Sequence, residues 1–150
     1  MKIIQTKLLF DGINEKKNCY IGIEGKEIKF VGNTEPSGKN EIVESCEAVT
    51  PSFIDAHSHI GMVRAGEPSN EEEANEHMDS ISPLSNALNS IYMDDTSFQE
   101  SIESGVLYSV VLPGSGNIIS GKAVLIRNFS SNIKDAFISD IGIKTALGYN

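Results

Sequence analysis

The stretch Pro51-Ser52-Phe53-Ile54-Asp55-Ala56-His57-Ser58-His59 constrains the fold more than any other part of the chain. It places two histidines at i and i+2 directly after a short apolar run, so on a strand both imidazoles leave the same face. A neutral imidazole binds a zinc-like ion at roughly 2.0–2.1 Å, and two rings from one strand end can converge on one ion without rearranging a loop. The pattern therefore asks for a strand that opens at its end onto a metal site.

The residues before it read as short strands separated by turns. Residues 2–10 end at Asp11-Gly12, a turn dipeptide. Residues 18–24 and 27–32 alternate apolar and polar positions around Gly25-Lys26, which is a hairpin signal. Residues 41–44 and 46–49 supply one or two edge-like segments more, and no catalytic constellation lies in residues 2–50. With 150 residues, 39% of them hydrophobic and 22% charged, the chain has the composition of a soluble globular protein. One domain, or one small domain with part of another, is the expected scale.

The longest apolar run, Val106 to Leu112, is far too short to span a bilayer. The N-terminus has none of the marks of a secretory leader, so a cytoplasmic protein is expected. A net charge of −9 speaks against a nucleic-acid surface, which needs clustered Lys and Arg. Much of the acidity is local, in Glu67, Glu71, Glu72, Glu73, Glu76 and Asp79, and a solvated acidic face accounts for it. Cys19 and Cys46 fit neither a disulfide framework nor a close-spaced zinc motif and are assigned to packing.

After the histidines, residues 60–90 are interrupted by Gly61, Gly66, Pro68 and Pro83 and read as an irregular excursion with one helical piece over residues 71–79. A long loop following a strand end is a candidate substrate-facing element, or simply a mobile acidic loop. His77, in a polar stretch, is expected to be solvated. Residues 94–105 carry a helix signal: Asp95 or Thr96 as cap, Phe98 and Ile102 four apart, Gly105 as terminator. The apolar run 106–112 follows as a buried strand. Strand, helix and strand make a βαβ unit whose right-handed crossover is expected to set Leu112 beside Ile54, at the histidine end of a parallel sheet.

Gly114, Ser115, Gly116 and Asn117 then lie on the ligand side, where small residues let backbone amides approach an anion or substrate; a plain turn is the alternative. Residues 120–128 read as a further strand, and residues 130–136 as a turn and short helix. Lys144 sits in a mostly apolar run, either reaching solvent from a strand end or held by a partner.

The order Pro51-Ser52-Phe53-Ile54-Asp55-Ala56-His57-Ser58-His59 resembles the Pro-Gly-x-x-Asp-x-His-x-His signature of the amidohydrolase superfamily of metal-dependent hydrolases, with Ser52 in place of the usual Gly. Residues 2–50, with their hairpin, are similar to the small β-sandwich before the barrel in that family. Pro113-Gly114-Ser115-Gly116-Asn117-Ile118-Ile119-Ser120-Gly121 looks like the segment after the second barrel strand in its imidazolonepropionase-like members. The resemblance implies an α/β fold: residues 1–50 as part of a composite β-sandwich, and residues 51–150 as the first βα units of an incomplete TIM-type (β/α)8 barrel.

It implies His57 and His59 as metal ligands, Asp55 as a residue supporting them, and Lys144 as a carboxylated metal bridge. The metal would be divalent, zinc first, with iron or manganese as alternatives, and the general base is expected beyond residue 150. The implied function is that of an N-terminal fragment of a hydrolase of non-peptide carbon–nitrogen bonds, inactive by itself. Its partner is a small-molecule substrate, with imidazolone, amino-acid amide and dipeptide substrates all open. The alternative is a truncated, non-catalytic chain that associates with a subunit supplying the rest of the barrel; separately, a homo-oligomer or association through the exposed half-barrel edge is expected.

Overall fold

In the computed structural model, which describes residues 1–64 and 66–147, the chain forms two compact units, Met1–Pro51 and Ser52–Asn150. The first is one four-stranded mixed sheet. Its strands are β1 (Lys2–Phe10), β2 (Glu15–Glu24), β3 (Glu27–Gly32) and β4 (Glu41–Val49), in the order β3-β2-β1-β4. β1–β2 and β2–β3 are antiparallel hairpins, whereas β4 runs parallel to β1. The two edge-like segments of the sequence are a single strand, bent by a register shift at Ile3/Ile4 of its neighbour. Leu9, Cys19 and Ile21 form the core of this sheet with Ile4 and Val49 against them, so Cys19 is a packing residue; both cysteines are free thiols.

The second unit is a four-stranded mixed sheet in the order β5-β6-β7-β8, built from β5 (Phe53–Ser58), β6 (Val106–Val111), β7 (Ile119–Arg127) and β8 (Phe137–Thr145). Helix α1 (Thr96–Glu103) links β5 to β6, which pair in parallel. Asp95 caps it by accepting from the Ser97 N–H, and Gly105 ends it at φ +81°, where a side chain would be strained. Phe98 turns inward to a core of Met62, Ile91, Val111, Val124, Ile126 and small alanines.

The expected succession of parallel βα units stops there, because β6–β7 and β7–β8 are antiparallel. Connection length gives the reason. Seven residues separate β6 from β7, and a parallel crossover needs about a dozen or more. Between β7 and β8 lies only the one-turn α2 (Ile133–Ala136). The sheet register also corrects one expectation: Ile54 lies opposite Tyr108, and Leu112 donates its N–H to Ser58 O at 3.0 Å. Leu112 is thus at the histidine end, but beside Ser58.

Residues 60–90 contain 3-10 turns at Ser69–Glu71 and Ala87–Ser90, and no helix over residues 71–79. Tertiary hydrogen bonds take the carbonyls such a helix would need: Ala74 O accepts from Gly114 N–H, and Glu76 O and Asp79 O from Asn117 Nδ2. Four glutamates within six residues add like-charge repulsion to any helix there. Farther on, residues 72–86 form a strap that runs beside the start of β7, with short parallel bridges Ile81–Ile119 and Asn86–Lys122. Gly121, at φ +111°, lets Ser85 O approach within 2.5 Å of where a Cβ would stand. No helix among the described residues is long and apolar enough to cross a membrane.

Candidate metal centre

His57 is the penultimate residue of β5 and His59 the first beyond it; the β5–β6 register shifts between Asp55 and Ser58, and the two rings still stand next to each other. Their centroids are 5.6 Å apart and their planes cross at 87°. Two imidazoles sharing one zinc at roughly 2.0–2.1 Å put their centroids about 5 Å apart, so the pair is already spaced for a common ion.

His59 is the better fixed of the two. Its Nδ1 lies 2.7 Å from the Leu112 carbonyl at the end of β6. A carbonyl can only accept, so Nδ1 carries the proton and Nε2 presents a lone pair. A carbonyl behind the imidazole is the usual device that orients a metal-ligating histidine and fixes its tautomer. The turn after it is equally closed: Met62 and Val63 both donate to His59 O, at 3.0 and 3.3 Å.

Asp55 acts one step back. Its Oδ1 accepts from the His57 backbone N–H at 3.0 Å, which fixes the chain that carries the ring while the imidazole of His57 stays exposed. An open groove of about 580 Å³ touches His59 and is lined by Asp55, Ser58, Ser97, Glu100, Ser101 and Ser109, among others.

Other candidates are placed elsewhere. Lys144 lies on β8, half-buried opposite Gly121, with β6 and β7 between it and β5. Three strand spacings amount to roughly 14 Å across the sheet, so the pleat alone does not bring its ammonium to the histidines. His77 is exposed and lines a separate polar pocket of about 330 Å³ with Glu76, Asp79 and Asn117. Among the described residues no three His, Cys, Asp or Glu side chains are grouped to hold a metal. The donor set therefore fits a zinc-like ion as two ligands of about four.

The glycine loop has a different employment from an anion nest. Gly114 N–H is spent on Ala74 O, and Gly116 N–H on Asn75 Oδ1 at 2.8 Å. A Cβ at Gly114 would collide with the Asn75 amide, and one at Gly116 would stand 2.8 Å from its oxygen. Asn117, 4% exposed, holds the strap through two carbonyls. Small residues at 114 and 116 thus admit Asn75 and seat the strap. The sequence hides the Leu112 carbonyl and Asn75: one is a backbone atom and the other an unremarkable amide, and only the fold brings either to its partner.

No family model matches the chain. It is 32% identical over 80 residues to "Amidohydrolase tasK" of Hapsidospora irregularis, covering 53% of this chain and 8% of that protein. It is 37% identical over 67 residues to the imidazolonepropionase of Aliivibrio fischeri, covering 42% of this chain and 16% of the relative. The crystal structure of an amidohydrolase from Thermotoga maritima superposes on all of this chain with a TM-score of 0.88 at 25% identity, using 40% of that structure. The chain thus spans less than a fifth of either curated relative and two fifths of the solved structure.

Proposed function

We propose that this chain, which belongs to the amidohydrolase superfamily and covers its N-terminal portion, supplies the first two metal ligands, His57 and His59, of a hydrolase of non-peptide carbon–nitrogen bonds. The observation that carries the reading is the His59 Nδ1 bond to Leu112 O, with His57 5.6 Å away on the same strand end. A divalent ion bound there, zinc first and iron or manganese as alternatives, supplies Lewis acidity toward a carbonyl and a water that ionises near neutrality. Within that chemistry His59 offers a fixed Nε2, His57 offers a ring on a backbone held by Asp55, and the Leu112 carbonyl keeps the His59 proton on the far nitrogen.

Two ligands do not complete a catalytic shell. The remaining donors and the general base come from outside residues 1–150, in the same polypeptide or in an associated subunit. Since one matched relative is an imidazolonepropionase, imidazolone-type cyclic amides are the first substrates to test, ahead of amino-acid amides and dipeptides.

Zinc titration of residues 1–150 tests the site. One weakly held ion per chain is expected, lost in both His57→Ala and His59→Ala. The activity is tested on the polypeptide carrying this segment, with hydrolysis lost on chelation and restored by zinc. Wild-type chain that takes up no zinc, or variants that bind it unchanged, would overturn the assignment.

A further inference from the structure

We propose that Arg64 is a positioning residue for this pair: it clasps the turn leaving His59 onto the segment that enters α1, and so holds the His59 ring in register with Leu112. The inference rests on His57 and His59 being ligands. Arg64 makes three contacts at once. Nη1 pairs with Glu67 Oε1 at 2.7 Å, Nη2 reaches Asp94 Oδ2 at 3.5 Å, and the guanidinium carbon stands 4.8 Å over the Tyr92 ring. The Arg64 and Glu67 side chains are only 29% and 31% exposed, so their attraction is less screened than in an open surface pair.

The backbone completes the path. His59 O accepts from Met62 and Val63, and Gly61 O accepts from Tyr92 N–H at 3.0 Å. Tyr92 O in turn accepts from Asp95, the cap of α1. Gly61, at φ +76°, is pressed against Phe98 and Ile91, where a Cβ would stand about 3 Å from both. The turn is therefore held on one side by packing and on the other by the guanidinium fork. His59 is fixed between this clasp and the Leu112 carbonyl. With the fork gone the turn can rotate, the Nδ1 bond loses its alignment, and Nε2 no longer keeps one direction.

The experiment compares wild type, Arg64→Ala, Arg64→Lys and Asp94→Asn by zinc titration and by the ¹⁵N shifts of the His59 ring. Arg64→Ala is expected to weaken zinc about tenfold, the low end of the cost of disturbing a ligand's outer partners. It is also expected to turn the single Nδ1–H tautomer of His59 into a mixture. Arg64→Lys keeps the charge but loses the fork and the stacking, and falls between. Should Arg64→Ala not fold, the Lys and Asn variants carry the comparison through the same ring shifts. Wild-type zinc affinity and an unchanged His59 tautomer in these variants would overturn the clasp. A wild type that binds no zinc at all defeats the metal assignment instead, while the tautomer readout still decides the role of Arg64.

Discussion

Asp11 closes the β1–β2 turn with one carboxylate oxygen. Its Oδ1 accepts from Ile13 N–H at 3.1 Å and Asn14 N–H at 2.8 Å, and Lys16 Nζ sits 3.2 Å from the other oxygen. These bonds, the Asn14 amide first, hold the carboxyl below the usual carboxylate range. A depressed acid contributes stability above its unfolded-state value and loses it as pH falls through its lower folded-state value. Asp11→Asn keeps an acceptor and a similar shape but removes the charge. The variant should therefore be slightly less stable than wild type at neutral pH and equal to it near pH 2. Carboxyl NMR of Asp11, with denaturation curves at both pH values, checks this; a wild-type advantage that persists in acid would count against it. At the histidine pair the same kind of bond works on the backbone, since Asp55 holds His57 N–H as Asp11 holds Asn14 N–H.

At the level of elements, the strap over residues 72–80 owes its path to Asn117. This side chain is buried, and its Nδ2 serves both Glu76 O and Asp79 O. Asn117→Ala should cost about 1–2 kcal/mol, near the lower end for a lost hydrogen-bond partner because the freed carbonyls can meet water. Amide exchange in residues 74–80 should rise while that of β7 holds; equal exchange in the two proteins would show that the strap is fixed by other means.

The strap was also the part of the fold least legible in the sequence. Local chemistry decides the elements that could be read: Asp11-Gly12 and Gly25 end strands, Asp95 and Gly105 bracket α1, and the alternation of residues 27–32 marks an edge strand. Residues 71–79 look helical because no Pro or Gly breaks the run, but their glutamates repel one another and their carbonyls are claimed by residues some forty positions away. The candidate site shows the same division. His57 and His59 were visible as a spacing, Asp55 as a neighbour, but the carbonyl that selects the His59 tautomer and the Arg64 clasp depend on which segments meet. The parallel seat of β4 and the antiparallel return of β7 are likewise set by pairing partners that periodicity does not name.

Within the second unit, the sheet carries its apolar surface in an unusual place. Phe53 and Ile54 are consecutive on β5, so they point to opposite faces, yet both are more than half exposed. Among the described residues both faces of this strand are only partly covered at its start, and β5 pairs on one side only, with β6. At the other margin, Ile141 and Ile143 of β8 are also more than half exposed. Unpaired strand edges beside exposed Ile and Phe form a template for another strand. The net charge of −9 opposes association at long range, but added salt screens that repulsion and leaves the apolar gain intact. Residues 1–150 should therefore self-associate, and more strongly as salt is raised. Ile54→Lys, which puts a charge on the edge, should return the chain to monomer without loss of its β-sheet circular dichroism. Sedimentation velocity across protein concentration and salt reads this directly: a compact wild-type monomer at every concentration would refute it, as would an Ile54→Lys chain that assembles like the parent. The same strand carries His57 next to its last residue, so the variant also asks whether covering β5 and completing the proposed metal shell are one event. If a partner subunit supplies both, the surface that closes over Ile54 brings the missing ligands with it, and zinc affinity should rise when that subunit is added to the wild type but not to Ile54→Lys.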